Sequence, residues 1–246
     1  MGQTGKVSDN LSMPSKILKM DRKYAIYLPP DYATSERSYP VLYLLHGAGD
    51  DQTGWIQFGE VLTIADEAIK SGSSTAMIIV MPDANTTHRG YANDAKGEWR
   101  YEDFFMQEFM PYIEKNYRIK GEKKYRAIAG LSMGGGHTQT ITNNNPGFFN
   151  YIGVFSMGIM GANQNNPDAA KSEQERDAKI EALKNSGYKL YWIGVGKDDF
   201  LYQSVVTLRN TLDKHNFKYT YRESTGGHTW ANWRIYLSEF APMLFK

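Results

Sequence analysis

The amino-acid sequence predicts an α/β domain with a mostly parallel central sheet and helices on both faces. Short apolar runs rich in β-branched and aromatic residues alternate with longer amphipathic segments along the chain. Regular alternation of this kind is typical of a parallel sheet covered on both sides. A length of 246 residues, without internal repeats or a second core, suits one large domain. We therefore expect a single domain over residues 1–246, with the polar residues 1–15 forming a loose lead-in.

Each predicted element follows from the spacing of its apolar residues. Seven apolar runs predict strands, namely Lys23–Leu28, Val41–His46, Ala76–Met81, Arg126–Gly130, Tyr151–Ser156, Leu190–Val195 and Lys218–Glu223. Five segments with apolar residues three and four apart predict helices, namely Phe58–Lys70, Tyr101–Tyr117, Asp168–Asn185, Leu201–His215 and Thr229–Phe245. The polar segment Ala84–Trp99 follows a strand at the edge where open α/β sheets bind ligands, so we expect it to form part of a substrate cleft.

Composition excludes several classes of protein. Hydrophobic residues make up 41%, charged residues 22%, and the net charge is +1, so a soluble fold without a nucleic-acid or membrane partner is expected. The polar start has no signal-peptide core, and the longest apolar runs are too short to cross a bilayer. There is no cysteine and no histidine–carboxylate cluster at metal-ligand spacing, so we expect no metal site and no thiol chemistry.

The pentapeptide Gly130–Gly134 has the form G-x-S-x-G, with Ser132 at its centre. It follows a predicted strand and opens a helical segment that continues through Gly136. This context predicts a nucleophile elbow, a tight strand-to-helix turn that holds the serine in a strained conformation. The adjacent helix N-terminus favours the negative charge that develops in acyl transfer. The alternative is a glycine-rich turn that only joins the two elements.

A serine nucleophile needs a base, and His228 is the histidine in the best position. It follows the last predicted strand and a Gly-Gly turn, late in the chain, which matches the order Ser, Asp/Glu, His of α/β-hydrolases. The acid is expected after the strand Leu190–Val195, where Asp198 and Asp199 both stand. Neighbouring residues point in different directions, so one of the two meets the imidazole, and periodicity does not choose between them.

An oxyanion hole requires two backbone N–H donors near the nucleophile. The first is expected from Met133, directly after Ser132, and the second from the loop after an early strand. That loop begins with His46 and continues through small residues, which makes Ala48 or Gly49 the expected second donor. A plain turn is the alternative interpretation.

Five stretches carry a resemblance to a known family: VLYLLHGAGDDQTGW, MPYIEKNYRI, YRAIAGLSMGGGHT, GKDDFL and GGHTWANWRIYLSEFAPML. They resemble the esterase family of α/β-hydrolases and, within it, carbohydrate esterase family 1, from about Arg22 to Phe245. The resemblance implies an α/β-hydrolase fold without a large lid, no cofactor, and a secreted or periplasmic location. It also implies that Asp199 is the acid and that Trp230 lies near the acyl pocket.

The resemblance implies a serine esterase that acts on feruloylated or acetylated xylan-type oligosaccharides or polysaccharides, with feruloyl esters preferred. Acetyl xylan esterase and an S-formylglutathione hydrolase-like thioesterase are the enzyme alternatives. An acyltransferase and a binding module that kept the fold are the others. Exposed aromatic residues would stack on sugar or phenolic rings, and Trp230, Trp99 and Tyr91 are the candidates.

Overall fold

The computed structural model describes residues 3–85, 100–159 and 168–246, and these contain one eight-stranded sheet. Its strands, in chain order β1 to β8, are Lys6–Ser15, Met20–Leu28, Val41–Leu45, Ile78–Pro82, Arg126–Leu131, Tyr151–Phe155, Leu190–Gly196 and Thr220–Ser224. Their spatial order is β1-β2-β4-β3-β5-β6-β7-β8. β2 pairs antiparallel with β1 and β4, and all the other pairs are parallel. The prediction of a mostly parallel sheet is confirmed.

Eight α-helices connect the strands within the described residues. They are, in chain order α1 to α8, Gly54–Gln57, Val61–Lys70, Tyr101–Phe104, Met110–Asn116, Met133–Asn144, Ala169–Ser186, Tyr202–Lys214 and Trp230–Phe240. A π-helical turn, Phe105–Phe109, joins α3 to α4, so the predicted single helix from Tyr101 is interrupted. The predicted helix from Phe58 begins only at Val61, because Glu60 has a φ of 52°.

Strands β3, β4 and β6 are buried along their whole length, as expected for a parallel sheet covered on both faces. One face packs against α3 to α7 and the other against α1, α2 and α8, which gives two apolar cores. Strands β3, β5, β6, β7 and β8 run in the same direction, so the loops that follow them meet at one edge of the sheet. That edge carries the site described below.

The prediction of a loose lead-in over residues 1–15 is wrong for residues 6–15, which form the edge strand β1. This strand pairs with β2 from Lys6 opposite Leu28 to Ser15 opposite Met20. Only Met13 and Ser15 are buried in it. An edge strand has one neighbour and a solvated outer side, so its sequence is mostly polar and lacks the continuous apolar run that identifies a buried strand.

Candidate active site

Ser132 lies at the turn between β5 and α5, with φ 51° and ψ −120°. A positive φ is uncommon for a residue with a side chain and marks local strain. The flanking glycines permit this turn. A β-carbon at Gly130 would lie 2.3 Å from the carbonyl of Gly134, and one at Gly134 would lie 2.5 Å from the carbonyl oxygen of His46. Strand, helix and neighbouring strand therefore touch at backbone level, and Ser132 has the conformation of a nucleophile elbow.

The structure brings Ser132, His228 and Asp199 together in one hydrogen-bonded chain. Nε2 of His228 lies 2.9 Å from Oγ of Ser132, and Nδ1 lies 2.9 Å from Oδ2 of Asp199. The Asp199 side chain is fully buried, whereas the imidazole is 20% exposed. Asp198 is exposed, and its N–H donates to the carbonyl of Gly226. Of the two neighbouring aspartates, Asp199 is the one that meets the imidazole.

A second layer of hydrogen bonds holds the carboxylate of Asp199. The N–H of Leu201 donates to its Oδ1 at 2.8 Å, and the hydroxyl of Ser156 lies close enough to the same carboxylate to lower its pKa. Nε1–H of Trp233 donates to Oγ of Ser156 at 2.9 Å, which directs the serine proton toward Asp199. Burial alone would raise the pKa of Asp199, but the hydrogen bonds from His228, Leu201 and Ser156 together hold that pKa below its ordinary value.

Ser156 and Trp233 are residues of the site that were not predicted from the sequence. Ser156 directly follows β6, is fully buried and has a φ of 54°. Its position was the available signal, because the carboxyl ends of neighbouring parallel strands meet at one edge of the sheet. Trp233 lies on the first turns of α8, where an apolar residue is ordinarily assigned to the core.

The loop after β3 lies against the nucleophile. A β-carbon at Gly47 would be 3.6 Å from Cβ of Ser132. Ala48 and Gly49 follow in this loop and are exposed, and Gly49 has a φ of 78°. Met133 is the first residue of α5, so its N–H belongs to the open end of that helix. The assignment of these three residues to an oxyanion hole stays a prediction.

His46 anchors that loop to the loop after β4. It is 1% exposed, and its Nε2 accepts the N–H of Ala84 at 2.8 Å. Because a backbone N–H can only donate, the proton is on Nδ1, which lies 2.7 Å from the carbonyl oxygen of Gly47 and donates to it. His46 therefore fixes the backbone that leads into Ala48.

Of the three aromatic residues predicted to bind substrate, the structure describes only Trp230. Trp230 is half-buried and packs against the rings of Trp55, Phe58 and Trp233. The Trp233 ring in turn lies edge-on to the His228 imidazole, at 5.0 Å between ring centroids. Trp230 is thus one ring away from the imidazole, and its contact with substrate stays a prediction. Tyr91 and Trp99, with most of the predicted cleft segment Ala84–Trp99, lie outside the described residues.

Phe200 is a further aromatic residue at the site that the sequence did not reveal. Its ring lies 4.6 Å from the imidazole of His228, between centroids, and its side chain is 77% exposed. In the sequence it directly precedes the predicted helix Leu201–His215, where it is indistinguishable from a core residue. Its exposure is decided only by the turn that buries Asp199.

A cavity of about 460 Å³ lies beside Met133, between α5 and α6. Its lining includes the apolar side chains of Met133, Met157, Leu208 and Phe217 and polar side chains of α5 and α6. Gly136 also lines the cavity, and a β-carbon there would make only an ordinary 3.7 Å contact with Met157. This volume falls in the range of small-molecule sites.

Within the described residues, no helix is both long and apolar enough to cross a membrane. The same residues contain no group of three or more side chains that could hold a metal ion.

A family model described as "Putative esterase" matches residues 15–244 of this chain. The chain belongs to this esterase family. Its fold is the α/β-hydrolase fold, as the resemblance implied. The matched range includes Ser132, Asp199 and His228.

Individual relatives agree with the family. An endo-1,4-beta-xylanase/feruloyl esterase of Xylanibacter ruminicola is 36% identical over 186 residues, which cover 67% of this chain and 25% of that protein. The chain spans about a quarter of the length of the first curated relatives it matches. A solved ferulic acid esterase superposes with a TM-score of 0.82 at 31% identity, covering 98% of both chains. An S-formylglutathione hydrolase of Staphylococcus aureus superposes with a TM-score of 0.81 at 21% identity, covering 100% of this chain and 98% of that one, a likeness of fold alone.

Proposed function

We propose that this protein is a serine carboxylic ester hydrolase that removes feruloyl groups from xylan-type oligosaccharides or polysaccharides. The observation that carries the proposal is the chain of two 2.9 Å hydrogen bonds from Ser132 through His228 to the buried Asp199. This arrangement supplies a nucleophile, a base and a group that orients the base, which together define nucleophilic acyl transfer. A polymer substrate of this kind fits a secreted or periplasmic enzyme.

In the first half of the reaction, Oγ of Ser132 attacks the ester carbonyl carbon while Nε2 of His228 takes the hydroxyl proton. The carbonyl oxygen becomes an oxyanion, which accepts hydrogen bonds from the N–H of Met133 and from the N–H of Ala48 or Gly49. The tetrahedral intermediate collapses, the bond to the alcohol oxygen breaks, and the imidazolium gives its proton to that oxygen. The alcohol leaves, and the acyl group stays on Ser132.

In the second half, water replaces the alcohol. His228 takes a proton from the water, whose oxygen attacks the acyl carbon, and the same backbone donors hold the second oxyanion. Collapse releases the carboxylic acid, and His228 returns the proton to Ser132. Asp199 remains a carboxylate throughout, because it holds the imidazole orientation and stabilises the imidazolium without accepting its proton.

Two observations support a feruloyl rather than an acetyl group as the acyl half. The relative from Xylanibacter ruminicola and the solved ferulic acid esterase are both more than 30% identical to this chain.

The nucleophile assignment predicts the largest effect in the molecule. Ser132→Ala should lower the turnover of para-nitrophenyl acetate on the order of 10⁶-fold, because the attacking atom is removed. The variant should also fail to react with a fluorophosphonate probe that labels the unaltered protein. Circular dichroism checks that the variant is folded. Retention of activity in a folded variant would overturn the assignment of Ser132 as the nucleophile.

The acyl assignment is tested by comparing kcat/KM for methyl ferulate with acetate release from acetylated xylan. Faster turnover of methyl ferulate supports a feruloyl esterase. Acetate release with ferulate untouched would contradict the acyl assignment and favour an acetyl xylan esterase. Efficient turnover of S-formylglutathione, with neither ester cleaved, would favour the thioesterase.

A further inference from the structure

Phe200 is exposed to an extent that the fold does not explain. Five large apolar side chains in the described part of the chain have more than a third of their surface exposed, namely Phe58, Phe148, Phe200, Ile235 and Met243. Phe200 is the most exposed of them, at 77%. Burial of a phenylalanine side chain stabilises a fold, because it removes a large apolar surface from water. At Phe200 most of that stabilisation is absent, so the ring is available for contact with another molecule.

The backbone on both sides of Phe200 is held in place. The N–H of Leu201 donates to the Asp199 carboxylate at 2.8 Å, and the N–H of Tyr202 donates to the Asp199 carbonyl at 2.9 Å. The N–H of Asp199 donates in turn to the carbonyl of Gly196 at 3.1 Å. Since the same turn that buries Asp199 carries Phe200, the position of the exposed ring is tied to the position of the acid.

The chemistry of the proposed reaction decides which half of the ester lies near this ring. The leaving alcohol takes its proton from Nε2 of His228, so the alcohol oxygen has to lie within hydrogen-bond distance of that nitrogen. The rest of the alcohol then extends past the imidazole. Among the residues that the structure describes, the exposed ring in contact with that imidazole is Phe200, at 4.6 Å between centroids and 57° between planes.

A phenyl ring offers no hydrogen-bond donor or acceptor, so it selects by its apolar face. A sugar ring has a matching face of C–H groups, with its hydroxyls at the edges where they stay solvated. The other neighbours of His228 fit this assignment, because Ser132, Asp199 and Trp233 are already engaged in the hydrogen bonds described above. A sugar ring can therefore lie on Phe200 without displacing any of them.

We propose that Phe200 is a platform for the sugar ring of the leaving alcohol, and so determines the preference for carbohydrate esters over esters of small alcohols. The proposal rests on the proposed function and adds the substrate contact on the alcohol side. The platform acts on binding of the alcohol half and leaves the transfer of the acyl group to Ser132 unchanged.

The test compares Phe200→Ala with the unaltered protein on two esters of the same acid. The esters are methyl ferulate and a feruloylated arabinoxylan oligosaccharide. We expect kcat/KM for the oligosaccharide to fall about tenfold, mainly through KM, and kcat/KM for methyl ferulate to stay within about twofold. Phe200→Trp should restore the oligosaccharide value, because the indole retains an aromatic face.

Phe148→Ala is the control, since it removes the same kind of ring, 39% exposed, beyond the far end of α5. This variant should leave kcat/KM unchanged for both methyl ferulate and the feruloylated oligosaccharide. An equal loss on both esters in Phe200→Ala would overturn the proposal, because the ring would then act on His228 or on the fold. No loss on either ester would also overturn it, because the sugar would not touch the ring.

Failure of the proposed function is distinguishable from failure of the platform. If the unaltered protein cleaves no feruloyl ester, the same comparison is made with ethyl acetate and an acetylated xylo-oligosaccharide. The platform concerns the alcohol half of the ester. A fall in kcat/KM of Phe200→Ala for the acetylated oligosaccharide, but not for ethyl acetate, would therefore still support it. An equal response of the two acetyl esters would overturn it.

Discussion

The two sides of His228 differ sharply. On one side, Nδ1 faces the fully buried Asp199, which is held by the Leu201 amide and by Ser156. On the other side, the imidazole contacts Phe200, which is 77% exposed and makes no hydrogen bond through its ring. Buried hydrogen-bonded groups keep one geometry, whereas an exposed ring is free to meet a ligand. The comparison suggests that the buried side sets the rate of acyl transfer and the exposed side sets the choice of alcohol.

Asp199→Asn tests the buried side most directly. An amide at this position can present its NH₂ group to Nδ1, which favours the wrong imidazole tautomer, so we expect kcat to fall on the order of 10⁴-fold. Steady-state kinetics on methyl ferulate measure this loss. Asp198→Asn is the matched control, because Asp198 is exposed and its neighbour keeps the hydrogen bond to His228. A comparable loss in Asp198→Asn would contradict the assignment of the acid.

Ser156→Ala tests whether the second layer of hydrogen bonds matters for rate. Loss of a hydrogen bond to a charged group costs about 1.5 kcal/mol or more, so we expect kcat to fall at least about tenfold with KM nearly unchanged. In this interpretation Ser156 positions Asp199 and does not touch substrate. A fall in kcat with an unchanged KM would separate this role from a general loss of structure, which would affect both.

Ser224→Ala is the control for that experiment. Ser224 also ends a strand and is buried, but its hydroxyl pairs with the hydroxyl of Tyr236 and not with the carboxylate of Asp199. It should lower stability without lowering kcat. Trp233→Phe keeps a ring against His228 and removes the donor to Ser156, so it should reproduce part of the Ser156→Ala effect. If kcat is the same in Ser156→Ala and Trp233→Phe as in the control Ser224→Ala, the second layer of hydrogen bonds has no role in the rate.

The smallest expected effect is a dependence of stability on pH. The folded-state pKa of Asp199 lies below its ordinary value, so its ionisation stabilises the fold above the unfolded pKa of about 3.9. That contribution is lost as pH falls through the folded-state pKa. The free energy of unfolding of the unaltered protein, relative to Asp199→Asn, should therefore decrease as pH falls from 6 to 3. Urea denaturation at several pH values measures it, and a constant difference would contradict the prediction.

The overall fold was largely predictable, and its exceptions have physical reasons. Six predicted strands appear in the interior of the sheet with small shifts of their ends, because buried strands need apolar runs. The predicted strand at Lys218 appears as the edge strand β8. The strand β1 was missed, since an edge strand tolerates polar residues on its solvated side. The interruption of the helix at Phe105–Phe109 was also missed, because a π-helical turn keeps the same rings buried.

The sequence by itself determined the order of the elements, the elbow around Ser132 and the late position of His228. These features are local patterns of glycine, apolar residues and turns, and each requires only a short stretch of chain. The local pattern left Asp198 and Asp199 open, and the family resemblance implied Asp199. The tertiary structure decided that Asp199 meets the imidazole, that Ser156 and Trp233 lie behind it, and that Phe200 is exposed. Those relations join residues far apart in the chain, and the direction of each side chain depends on turns that only the packed sheet defines.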